Sequence, residues 1–136
     1  MICIGRRTLA ASLAAAALLS IVTNAKAADR FAVISIANET NANITVSYHW
    51  GDGQRKTHLF RPGARHWFSW KYPTPDYDRS PDFFITFDAD TTSQRYGEDK
   101  RLHGNRAPEE NYNLGHKYAF RYDGPSKRYI EIFNLR

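Results

Sequence analysis

Trp67, Tyr72, Tyr77 and Phe84 supply ring faces, and Arg65, Lys71 and His49 lie near them in sequence or on an adjoining strand pattern with charge and hydrogen-bond donors. Those types suit a sugar, whose C–H faces pack on rings while its hydroxyls pair with polar groups. They also suit a protein partner, because Trp, Tyr and Arg are the usual anchors of interfaces. The competing reading is structural. A chain with 3 Trp, 8 Tyr and 8 Phe in 136 residues buries many rings for stability alone.

A second constellation is acidic. Asp88, Asp90, Thr92 and Asp99 fall at offsets 1, 3, 5 and 12 of a calcium loop. The glycine required at the sharp turn is Ser93, and no helical pattern flanks the segment. The sequence therefore offers Asp88, Asp90 and Asp99 as calcium ligands only in a geometry unlike the helix–loop–helix one. A solvated acidic turn is the default for such clusters.

The five histidines form neither H-x-H nor H-E-x-x-H, so no zinc site is signalled. His103 lies near Glu109 and Glu110, and a histidine beside a carboxylate suits acid–base work. No nucleophile motif such as G-x-S-x-G accompanies it, so a hydrolase ranks third among the functional readings.

These residues need a scaffold, and residues 1–27 are not expected to belong to it. Arg6-Arg7, an apolar run from Leu9 to Val22 and Ala25-Lys26-Ala27 make a secretory signal peptide, with the arginine pair also admitting the twin-arginine route. The run is shorter than the roughly 20 residues of a membrane span. The expectation is cleavage after Ala27, one domain over 28–136, and a secreted or periplasmic location in a bacterium. Of 19 Lys and Arg, three (Arg6, Arg7 and Lys26) leave with the leader; 16 then face 14 Asp and Glu, a net charge of +2. The two signs are interleaved, which disfavours nucleic acid as a partner. The one cysteine, Cys3, also leaves, so the domain folds without a disulfide.

Beyond the leader, period-two patterning recurs and helical periodicity does not. Strands are predicted at 31–37, 43–50, 55–60, 64–72, 82–88, 112–122 and 128–135. The first and last are apolar on both faces. Residues 73–81 and 89–111 read as loops, the second long and charged. About seven or eight short strands with turns every 8–12 residues or so predict a single all-β domain, a small antiparallel β-sandwich, with a small β-barrel as the alternative. Alternation in 64–72 puts His66, Phe68, Trp70 and Tyr72 inward and Arg65, Trp67, Ser69 and Lys71 outward. Trp70 is thereby expected in the core and Trp67 on the surface. The leading expectation is an exported, non-catalytic module binding a glycan or an envelope or host protein. A structural or membrane-surface protein, adhesin-like or attached to lipid by its exposed rings, is second.

Overall fold

Strand β1 (Phe31–Asn38) carries apolar or small side chains on both faces, and both faces are buried. The computed structural model describes residues 30–74 and 76–136, and β1 sits at the centre of one of its two sheets. The expected signal peptide lies outside the described residues. After β1 come β2 (Ile44–Trp50), β3 (Lys56–Phe60), β4 (Arg65–Lys71), β5 (Phe83–Asp88), β6 (Gly97–Leu102), β7 (Asn105–Ala107), β8 (His116–Tyr122) and β9 (Ile130–Asn134). One sheet runs β4-β1-β8-β9, with β7 pairing the first half of β1; the other runs β3-β2-β5-β6. The β1–β8 pair is parallel and every other pair is antiparallel. The sandwich is as expected, and the barrel alternative is set aside because the two sheets have separate edges.

The inward residues of both sheets meet in one aromatic core. Phe60 and Phe87 each pack on Phe120, with ring centroids 5.6 and 5.0 Å apart, and Phe68 lies 5.1 Å from Phe83. Ile34, Ile36, Val46, Ile85 and Leu102 fill between the rings. Burial of such area drives the fold at roughly 25 cal/mol per Å². With Cys3 as its only cysteine, the chain forms no internal disulfide.

The outer face of β1 is closed by a segment of its own chain. A 3-10 turn, Tyr112–Leu114, lies against it, and the buried Ser35 hydroxyl donates to the Tyr112 carbonyl. The strand predicted over 112–122 thus begins four residues later, at His116. The turn from β1 to β2 is held by Asn38, which is fully buried. Its Nδ2 donates to the carbonyls of Ala42 (2.8 Å) and Phe60 (3.2 Å), and its Oδ1 accepts from the Thr40 amide and hydroxyl.

The expected loop 89–111 holds two strands. In β6, GEDKRL, the alternation is of charges, so it gives no hydrophobic signal. Lys100 points to the seam between the sheets and meets Glu131 of β9 at 3.2 Å. An edge strand built from charged residues resists pairing with another chain. Among the described residues no helix is long and apolar enough to cross a membrane.

Candidate functional site

The residues expected to bind a ligand do not converge. Trp67 is 41% exposed on the outer face of β4, an edge strand, with Arg65 and Lys71 on the same face. Arg65 leans over the Tyr112 ring, 5.4 Å from its centroid. Tyr72 is buried and covered by the Arg106 guanidinium at 4.3 Å, so little of its ring face is open. Tyr77 is exposed, and its ring neighbours are Trp70 and Tyr72 at 6.3 and 6.4 Å. Trp67 instead neighbours His66, at 5.8 Å. Phe84 and His49 belong to the other sheet.

The inward assignment on β4 holds in direction but not in depth. Phe68 is 4% exposed, whereas Trp70 is only half-buried and stays outside the central core cluster. Trp70 pairs with Ala32 near the start of β1, at the end of the sandwich, and packs edge-on against Tyr72. It was expected in the core because alternation gives a face but not a position along the barrel of side chains between the sheets.

The three carboxylates expected to hold calcium each have partners within the protein. Asp88 Oδ1 accepts from the amides of Asp90 and Tyr96, both at 3.0 Å, and closes the β5–β6 connection. Asp90 is buried, pairs with Arg128 at 3.1 Å and accepts from the Thr92 amide and hydroxyl. Asp99 is no loop residue: it lies in β6 and accepts from the Thr86 hydroxyl at 2.7 Å. Among the described residues no three His, Cys, Asp or Glu side chains gather as a cation site. His103 likewise faces Asp82, at 3.6 Å, and not Glu109 or Glu110; the latter accepts from Ser69.

What the fold does assemble is the outer face of the four-stranded sheet. Register places side chains in rows across it. One row holds Thr57, Ser47, Thr86 and Asp99, contributed by β3, β2, β5 and β6 in turn. The next holds His49, Phe84 and Arg101, with Arg55 just before β3 at its far end. His49 and Phe84 stack 5.0 Å apart, 23° from parallel, and the His49 ring is fixed by an Nδ1 hydrogen bond to the Gly51 carbonyl at 2.7 Å. Arg55 Nη1 donates to the Ser47 hydroxyl at 3.0 Å. His49, Arg55, Phe84, Thr86, Asp99 and Arg101 line one open hollow of about 380 Å³. A larger hollow of about 890 Å³ continues along the same face past Thr45, Ser47, Thr57 and Asp88.

Comparison with known protein families, characterised proteins and solved structures finds no match to this chain.

The geometry of that face can hold a flat, hydroxylated ligand: half-buried ring faces in one row, hydroxyls and a carboxylate in the next. The alternation of Asn43, Thr45, Ser47 and His49, and of Phe84, Thr86 and Asp88, is visible in the sequence. That the two strands pair, and that Asp99 and Arg101 join them, is not.

A second exposed ring pair was also missed. Tyr96 and Tyr129 are 53% and 39% exposed, meet edge to face at 6.3 Å, and flank a cleft with Arg95, Glu98 and Glu131. They lie by the β6–β9 edge, opposite β4 and Trp67. Among the described residues the exposed rings are thus spread over separate edges.

Proposed function

We propose that this protein is an exported, non-catalytic carbohydrate-binding domain, and that the outer face of the four-stranded sheet is its binding face. The observation that carries this is the His49–Phe84 stack set one row from Thr57, Ser47, Thr86 and Asp99. A pyranose ring laid on Phe84 places its C–H groups on the ring face. Its hydroxyls then reach the hydroxyl row, which offers both donors and acceptors. The adjacent row also explains why the platform is half-buried: a ring held by neighbours loses little freedom on binding.

Titration of the protein with a panel of oligosaccharides, followed by calorimetry and by tryptophan-independent NMR shifts of the β2 and β5 amides, tests this. Phe84→Ala is expected to weaken binding about ten-fold, the equivalent of ~1.4 kcal/mol, while the far-ultraviolet circular dichroism stays that of the parent. Equal binding by parent and variant, or shifts confined to β4 and Trp67, would displace the site from this face.

A further inference from the structure

The ring row of this face ends in a guanidinium on each side. Arg101 is the direct cross-strand partner of Phe84, and Arg55 precedes Lys56, whose partner is Tyr48, the neighbour of His49. The order across the sheet is therefore Arg55, His49, Phe84, Arg101. All four line the same hollow.

The two cations are incompletely matched by the protein's own charge. Among the described residues Arg55 has no carboxylate at ion-pair distance, and its hydrogen-bond partner is the neutral Ser47 hydroxyl. Arg101 has Asp82 at 3.6 Å, with both side chains exposed, and the same carboxylate also faces His103 at 3.6 Å. The remaining carboxylate beside the platform, Asp99, is engaged by the Thr86 hydroxyl at 2.7 Å. A planar fork with no anion, next to a ring platform, is the arrangement that recognises a carboxylate or sulfate.

Resting on the carbohydrate reading above, we propose that the ligand is an acidic saccharide. Its sugar stacks on Phe84, and a carboxylate or sulfate on that sugar or the next meets Arg55, with Arg101 at the other end of the platform. The complementarity is local: Arg55 and Arg101 stand at the ends of the ring row, while Asp99 faces the hydroxyl row and accepts a sugar hydroxyl there as it accepts that of Thr86.

The test is calorimetric titration of the protein with three hexasaccharides: a neutral β-glucan, an oligogalacturonate and a sulfated carrageenan fragment that carries no uronate. The proposal expects at least one acidic probe to bind about ten-fold or more tightly than the neutral one, with the preference shrinking as salt is raised. Arg55→Gln and Arg101→Gln should each lower acidic binding several-fold, by a larger factor than they lower neutral binding, and thermal melts of both variants should match the parent. The uronate and sulfate arms separate the two sources of the anion. If neutral and acidic probes bind alike, the acidic proposal is overturned while the carbohydrate face stands. If none binds, both are overturned. Acidic binding that Phe84→Ala leaves intact is mere charge attraction, and it too overturns the proposal.

Discussion

The rings of His58 and His66 stack 4.1 Å apart, 15° from parallel, where β3 of one sheet meets β4 of the other. Phe60 and Phe68 pack edge-on against both. Among the described residues neither histidine has a carboxylate at ion-pair distance. Burial lowers the pKa of both, and the neighbouring His58 lowers that of His66 further.

The sign of the pH effect follows from that lowering. A base whose pKa falls below 6.5 on folding binds fewer protons folded than unfolded, so acidification through 6.5 favours the unfolded chain. Denaturant midpoints are expected to be flat above pH 6.5 and to decline below it. His58→Phe and His66→Phe should each lessen the decline, because each removes one titrating group and the repulsion on its neighbour. An unchanged slope in both variants would refute the assignment.

The Asp90–Arg128 pair titrates with the same sign in a more acidic window. Hydrogen bonds from Arg128 and from Thr92 hold the Asp90 carboxyl at about 2, below the ordinary 3.8. Its stabilising effect is present above 3.8 and lost as pH falls through about 2. The pair joins the segment after β5 to the approach to β9, alongside the Asp90–Tyr129 bridge. Asp90→Asn should therefore be less stable than the parent at neutral pH, and the gap between them should close below about pH 2–4, measured by denaturant titration at each pH. A gap that stays constant across that range would mean the loss is one of packing alone.

How much of this was legible in the sequence depends on what set each strand's pattern. In β2 and β5 a buried face alternates with a polar one, and period two is plain in Ile44, Val46 and Tyr48 or in Phe83, Ile85 and Phe87. In β6 the seam-facing residues are Glu98 and Lys100, which are stabilised by ion pairing, so alternation in hydropathy is lost although alternation in space is kept. The candidate site was half legible for the same reason. His49 and Phe84 were visible as outward rings, but their partner strand was hidden, and Trp67 drew attention because it stands among cations in the sequence. Sequence neighbours on one strand share a face every second residue; which strands lie side by side is a long-range fact that local pattern does not carry.

Three substitutions on β4 rank its rings. Phe68 is central to the core, meeting Tyr48 at 4.5 Å and Phe83 at 5.1 Å, so Phe68→Ala should cost ~3–5 kcal/mol. Trp70, half-buried at the end of the sandwich, should cost about 1–3 kcal/mol on change to alanine, and exposed Trp67 under ~1 kcal/mol. Chemical denaturation of the three variants gives the order. If Trp67→Ala were the most damaging, the strand would be shifted by one residue, since a single slip exchanges every inward and outward position.

Gly115 is fixed by crowding and not by backbone conformation. Its φ is −80°, open to any residue. A Cβ added there would lie 2.1 Å from Ser35 Oγ, 2.9 Å from the Ser35 amide nitrogen and 3.1 Å from the Ile34 carbonyl carbon. The hydroxyl is itself committed, since it donates to the Tyr112 carbonyl and so ties the 3-10 turn to β1. Gly115→Ala must push that turn away from the central strand, and a loss of about 1–3 kcal/mol is expected, as for other overpacked sites. Ser35→Ala removes the nearest obstacle but leaves the strand backbone, so the double variant should be more stable than the sum of the two single losses predicts, without recovering the parent value. Additive losses in denaturant melts would mean that the turn yields independently of Ser35. A Gly115→Ala protein as stable as the parent would mean that the turn does not press on β1 at all.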